Sequence, residues 1–532
     1  MRRYLGWVIV VGVVILLSGN QVLIPDIMES RNLVTAREMV QDGNWMIPTM
    51  NGDLRLEKPP LPTWIAAVTM MISGQNLWAL RLMPALAGVL LLFWFFKLAY
   101  RTTGNKLFAL CSSLILCTCY NFVLMAKTVT WDIYSHAFML GSIYYLYGML
   151  AERSGRWRNA VLSGLCLGLS VMSKGPVSLY ALLLPFLLAA WIAYRDRLKW
   201  SWKHISVTVV ISIVIGCSWY AYIWFEQQSA GTSTLLKESG SWLNRNVRPW
   251  WYYSTFFTET GAWALLCVTS LFFPYWRKRV FSRKDYVFSL CWMVGILVLL
   301  SLLPEKKNRY LLPILIPASL TMGYVVEFWI TRIRMMSVKD KRILSLNSYV
   351  VMLAELLLIV ASVYVGVSTP VSLSLCLLLA AVFLIALVVH IWGRRRKKAA
   401  CMLYSVVICF VGISALGMSS FAYYLGNPRH SFPRAVLDER YKGYPVYYPE
   451  GDEFRIELVY DIGRKVQPKP VGELAHPSAP CLLAVTENSK LSKDSLVVNA
   501  EKIGTYDANR QAYRSRPQFQ YSIYLVSPSK CQ

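Results

Sequence analysis

Carboxylates are scarce in this chain of 532 residues: 29 Asp and Glu stand against 55 Lys and Arg, a formal net charge of +26. Histidine is scarcer. His136, His204, His390, His430 and His476 are scattered without a ligand-spaced pair, and no metal or other cofactor is implied by them. The cysteines form no CxxC pair and no cluster of zinc spacing. Most of them fall in apolar runs, where a thiol acts as a small hydrophobe. Cys481 and Cys531 remain, and an exported C-terminal region would allow a disulfide between them. A Gly-rich nucleotide loop, an internal repeat and a low-complexity tract are missing as well. These absences weigh against a nucleotide-fed enzyme and against a transporter built from inverted repeats.

Apolar residues are what the chain has in quantity. At 56% hydrophobic and a mean hydropathy of +0.42, it is too apolar for an ordinary soluble protein of this size. A polytopic α-helical membrane protein fits, each span needing about 20 apolar residues to cross a hydrocarbon layer ~30 Å thick. Apolar runs suggest thirteen spans: 5–24, 78–97, 107–125, 133–150, 159–173, 177–194, 205–225, 252–274, 286–303, 310–330, 348–368, 371–392 and 401–424. The opening MRRYLGWVIVVGVVILL lacks a small-x-small cleavage site and reads as an uncleaved signal anchor.

Charge orients these spans. With the N-terminus inside, the cytoplasmic connections are the start, 97–106, 151–158, 195–203, 275–285, 331–347 and 393–400. They hold 27 Lys and Arg, against Glu152, Asp196, Asp285 and Asp340 alone. Every alternate connection is basic, as the positive-inside rule requires. Residues 25–77, the loop after 225 and everything beyond about 426 then face outside, the periplasm if the membrane is a bacterial inner membrane. The expected division is a membrane domain over 1–426, with 25–77 as a first outer loop holding interfacial helices, and a small exported α/β domain over 427–532. The latter carries strand-like GYPVYY, RIELVY, CLLAVT and QYSIYLV.

The chemistry gathers at the outer face. In PDIMESRNLVTAREM, Leu33, Val34, Ala36 and Val40 form an apolar stripe suited to an interfacial helix, while Arg37 and Glu38 read equally as a solvated face. Asp132 opens a span in AKTVTWDIYSHAF, with His136 one turn on. Lys127, Lys174 in VMSKGP, and Lys306, Lys307 and Arg309 in PEKKNRY are basic residues on short outer connections, where the orienting rule disfavours them. Ionisable groups in or near hydrocarbon are costly, about 2.5–3.5 kcal/mol at the centre, and so point to function. Lys and Arg collected at one face suit a phosphate, and a carboxylate beside them suits proton abstraction from a hydroxyl. Trp250, Trp251, Tyr252 and Tyr253 line either a substrate path or an interfacial aromatic belt.

At these residues the chain resembles the GT-C class of polytopic glycosyltransferases, nearest the lipid A aminoarabinose transferases and related to the protein O-mannosyltransferases. The matching pieces are MESRNLVTAREM, DGNWMIPTMNGDLRLEKPPLPTW, AKTVTWDIYSHAF, VMSKGP, RPWWYY and KKNRYLLP. The resemblance implies transfer of a sugar from a polyprenyl-phosphate donor to an acceptor at the outer face (lipid A, a glycan or a protein), generally with inversion. It implies no nucleic acid. The family's first loop carries an adjacent Asp-Glu; here Glu29 matches, but Met28 stands at the Asp position. Glu29 and Asp26 therefore share candidacy for the catalytic carboxylate, with Asp132 as a second matched acid. Arg31, Lys58, Lys174 and Lys306 match positions expected near the donor phosphate, Arg309 joins them by charge and place, and Tyr310, Trp250 and Tyr253 are candidate pocket residues. A lipid flippase is the competing reading from the same intramembrane charges.

Overall fold

The computed structural model describes residues 1–244, 246–475, 477–489, 500–511 and 515–528. His476 and Cys531 lie outside them. The chain divides into two compact units, one of residues 1–20, 56–62 and 77–420, the other of residues 21–55, 63–76 and 421–532.

The first unit is helical. Among the described residues, six helices are long and apolar enough to cross a membrane: Leu77–Thr103, Arg283–Leu302, Asn308–Met335, Val338–Ser368, Leu373–Arg395 and Ala400–Ser420. Two bent pairs bring the number to eight if each is one span, so the thirteen read from the sequence are not reached by this measure among the described residues. Lys106–Cys117 and Tyr120–Ala126 meet at 68°. The break follows from Thr118, whose hydroxyl donates to the Leu114 carbonyl at 2.7 Å and accepts from Trp263 Nε1 at 2.8 Å. Trp202–Gly216 and Ser218–Glu226 meet at 43°. The run at 252–274 is no single span. A 3₁₀ helix, Trp250–Trp263, is interrupted at Gly261, φ 63°, and passes into the short helix Ala264–Ser270.

Small residues let these helices approach closely. A Cβ on Gly168 would stand 2.6 Å from Ile215 Cβ, and one on Gly164 would stand 2.8 Å from the Thr208 carbonyl, so Arg156–Lys174 packs directly on Trp202–Gly216. The scarce acids of the basic connections act as staples. Glu152 pairs with Arg101 at 2.6 Å, Asp340 with Arg279 at 2.7 Å, and Asp285 accepts from Tyr194 at 2.6 Å. The exposed Asp196 meets Lys284 at 3.9 Å.

The second unit is α/β. Its five-stranded sheet runs in the order Val466–Lys469, Val446–Pro449, Cys481–Thr486, Gln520–Val526, Ala500–Asp507. The first three strands are parallel and the last two join antiparallel. RIELVY, read as a strand, is the helix Ile456–Ile462, which Gly463 ends at φ 86° in the left-handed region. Residues 25–55 and 63–76 of the first loop belong to this unit, whereas 56–62, with Lys58, belong to the membrane unit. Ten of the sixteen residues of the first-loop helix Ile27–Asp42 are buried, among them Leu33, Val34, Ala36 and Met39. Its apolar stripe therefore packs against protein. Arg37 and Glu38 are no solvated face. Arg37 Nη1 donates to the Val459 carbonyl at 3.3 Å, and Glu38 accepts from Thr49 Oγ1 at 2.7 Å and from the Asn51 and Gly52 amides at 2.6 and 3.1 Å. Burial and the neighbouring Arg434 push the Arg37 guanidinium down to about 10, so it stays charged at neutral pH.

Candidate active site

In the membrane unit, Asp132 and Lys174 form an ion pair that is almost wholly buried, at 1% and 8% exposure. Their positions follow from local sequence. Asp132 opens the helix Asp132–Ala151, where the helix dipole favours an anion. Lys174 closes the helix Arg156–Lys174, where a cation is favoured, and Gly175 at φ 73° turns the chain away. Lys174 engages Asp132 Oδ1, while Oδ2 is buried without a hydrogen-bond partner. An unmet buried carboxylate oxygen is costly and marks a place for a donor. The His136 Nδ1 and the Tyr134 hydroxyl are buried and unmet in the same way.

A second group from PEKKNRY joins the pair. Lys174 Nζ lies over the Tyr310 ring, 5.0 Å from its centroid, and Lys307 Nζ lies 5.6 Å from the same centroid. Lys307 pairs with Glu305, which accepts from the Tyr310 hydroxyl at 3.2 Å. Arg309 and His136 are within Coulombic reach of Asp132, as Lys58 is of Lys174. The Arg309 side chain makes no hydrogen bond or ion pair among the described residues, while its carbonyl accepts from the Leu312 amide. Three cations, Lys174, Lys307 and Arg309, thus surround the two carboxylates Asp132 and Glu305, an excess that an anion would balance.

Other sequence candidates take different places. Lys127 caps a helix: its amine donates to carbonyls at the end of Arg2–Leu17, to Leu16 at 3.4 Å and to Ser18, and to Asn20 Oδ1 at 3.0 Å. Burial, with Arg81 nearby, pushes it down to about 7. The Lys306 amine donates to the Leu303 carbonyl. Tyr253 is fully buried; its hydroxyl accepts from the Lys307 amide at 2.9 Å and donates to the Lys307 carbonyl at 3.1 Å, so it holds the loop bearing Lys307. Trp250 is 71% exposed. Glu305 was not singled out from sequence, since its neighbours Lys306 and Lys307 dominate the motif. Its one visible signal was an acid inside a basic cluster.

In the second unit, Asp26 and Glu29 separate. Asp26 is exposed and caps the helix Ile27–Asp42, its carboxylate accepting from the Met28 and Glu29 amides at 2.9 and 2.8 Å. Glu29 is 1% exposed. The Arg31 carbonyl accepts from Arg55 Nη1 at 2.7 Å. Among the described residues no group of three His, Cys, Asp or Glu could hold a metal ion.

Residues 57–220 match the dolichyl-phosphate-mannose-protein mannosyltransferase family. An undecaprenyl phosphate-alpha-4-amino-4-deoxy-L-arabinose arabinosyl transferase of Pseudomonas fluorescens is 27% identical over 326 residues, 59% of this chain and 55% of that protein. A transferase of the same description from Pectobacterium atrosepticum is 25% identical, over 66% of this chain and 63% of its own length. The chain therefore spans about half to two thirds of the length of these curated relatives. The crystal structure of ArnT from Cupriavidus metallidurans bound to undecaprenyl phosphate matches with a TM-score of 0.69 at 16% identity, covering 99% of this chain and 98% of that one.

Proposed function

Starting from a multi-pass membrane chain that has the GT-C fold and resembles the aminoarabinose and protein O-mannosyl transferases, we propose that it is a glycosyltransferase. It moves a sugar from a polyprenyl-phosphate donor to an acceptor that is a lipid such as lipid A, a glycan or a protein. The observation that carries this reading is the buried Asp132–Lys174 pair, with Asp132 Oδ2 unmet and an excess of positive charge around it.

Lys174, Arg309 and Lys58 neutralise the donor phosphate and stabilise the charge it gains as the sugar leaves. Lys307, braced by Glu305 and by Tyr310, adds to that field. Asp132 holds Lys174 in place and offers Oδ2 to a substrate hydroxyl or amine. Glu29 is assigned as the general base by its motif position and burial, and Arg31 as a further phosphate ligand by motif position. The acceptor oxygen bonds to the anomeric carbon as the bond to the phosphate oxygen breaks. The acceptor proton passes to the carboxylate, and direct displacement inverts the centre. The chain sits in a bacterial inner membrane with its N-terminus cytoplasmic, and with the site and the α/β domain periplasmic, on the strength of the alternation of basic connections.

The test supplies the purified chain with undecaprenyl-phosphate-linked sugars and a membrane extract as acceptor, reading free polyprenyl phosphate and mass-shifted acceptor. Turnover by wild type, reduced at least ~100-fold in Asp132→Asn, supports the proposal. Lipid changing leaflet without any transfer would replace it with a flippase.

A further inference from the structure

At the end of the membrane unit that bears the basic connections, far along the chain from Asp132, lies a cavity of about 240 Å³. A single water needs only about 10–15 Å³ of such space, so a phosphate group fits easily. The cavity is walled by Lys341, Arg394, Lys397 and Lys398, with Ser345 and Ser348 between them. Among the described residues none of these four cations is paired with a carboxylate. Arg394 instead rests 4.2 Å from the centroid of Tyr349 and Lys398 4.6 Å from that of Trp392. Of the acids elsewhere on this face, Glu152 is taken by Arg101, Asp340 by Arg279 and Asp285 by Tyr194, and Asp196 lies beside Lys284.

The backbone is arranged to bring these cations together. Lys397 stands at φ 51°, in the left-handed region that a side chain rarely adopts, and the Lys398 amide returns to the Gly393 carbonyl at 2.8 Å. Gly393 leaves no room for a larger residue, since its Cβ would stand 2.2 Å from Cys401 Cβ. The inner end is fixed by His390, which is buried, 2.8 Å from Ser348 Oγ and 3.3 Å from the Glu355 carboxylate. Apolar surface continues outward from the same two helices: Leu346, Val350 and Leu353 on one, Ile385, Val388 and Trp392 on the other, all exposed.

We infer that this cavity binds the phosphate of an anionic phospholipid, whose acyl chains lie on that apolar surface. A phosphate supplies the charge that four unpaired cations lack, and the adjoining apolar faces favour a lipid over a free ion. The inference stands apart from the proposed transfer reaction, whose residues lie in other segments of the unit.

Native mass spectrometry of the purified full chain tests it. The chain is titrated with phosphatidylglycerol, with phosphatidylcholine or with inorganic phosphate, beside Arg394→Gln/Lys397→Gln/Lys398→Gln and the single variant Lys341→Gln. Arg277→Gln/Lys278→Gln, on another basic connection, is the control. The expected result is retention of phosphatidylglycerol by wild type and control. Retention falls at least ~10-fold in the triple variant and measurably in Lys341→Gln, which sits on a helix surface and leaves the turn intact. Equal retention of phosphatidylcholine, unchanged retention in both variants, or full competition by millimolar inorganic phosphate would overturn it, the last by pointing to a free anion.

Discussion

Asp26 and Glu29 are three residues apart in sequence and differ in exposure, and one pair of substitutions separates their roles. Asn caps a helix as well as Asp does, whereas Ala does not. If Asp26 only caps, Asp26→Asn keeps both stability and transfer within a few-fold, and Asp26→Ala lowers stability by about 1 kcal/mol. Glu29→Gln, by contrast, is expected to lose at least ~100-fold in transfer with thermal stability unchanged. Loss of transfer in Asp26→Asn would move the base to Asp26. The buried pair invites a double-mutant cycle. Lys174→Met leaves the Asp132 charge unpaired and should destabilise by roughly 3–5 kcal/mol, while Asp132→Asn/Lys174→Met should recover much of that. The cycle is read by thermal unfolding in detergent. Transfer should remain lost in the double variant, an outcome that a purely structural pair would not give. Asp132, Lys174 and Arg309 stood out because a charge at a predicted membrane edge is conspicuous, whereas Tyr310 came from the family resemblance alone. The capping roles of Asp26 and Lys127 were not, because a cap depends on which amides or carbonyls the fold leaves nearby.

Among the elements, the contact of Arg156–Lys174 with Trp202–Gly216 sets where Lys174 stands. Gly168→Leu would drive a side chain into Ile215 and the Ser212 carbonyl, 3.3 Å from its Cβ. Such overpacking is expected to destabilise by about 1–3 kcal/mol and to lower transfer by displacing Lys174, whereas Gly240→Ala, with open space around it, should do neither. Both are checked by thermal unfolding beside the transfer assay. The long apolar runs gave element positions readily, since hydrocarbon tolerates little besides helix. The failures have local causes. RIELVY alternates enough to mimic a strand, but it forms a helix buried all along Glu457–Ile462. The strand Val466–Lys469 was missed because it is a short sheet edge carrying Pro468, as edge strands often do. Trp250–Trp263 reads as a span until Gly261 breaks it.

For the whole molecule, the alternation of charge makes a prediction about sidedness. In intact cells with a permeable outer membrane, a cysteine placed at exposed Gly451 should react with a membrane-impermeant maleimide. One at Lys278 should react only after the inner membrane is opened. Wild type measures the background of native thiols. The reverse pattern would invert the proposed topology. Which segments form a compact unit was the least legible feature, because it depends on contacts between the start and the end of the chain. Residues 21–55 look like a loop of the membrane domain until their partners are seen.

Those partners have a consequence in time. Arg510 Nε donates to the Pro25 carbonyl at 2.9 Å across 485 residues, and Asn51 and Val466 exchange two hydrogen bonds across 415. At about 5–20 residues per second of synthesis, the helix bearing Glu29 waits roughly half a minute to a minute and a half for its last partners to leave the ribosome. Membrane insertion is by then largely over. A nascent chain therefore has no finished first loop until translation is nearly complete, and a product truncated in its last hundred residues would be threaded into the bilayer but inert.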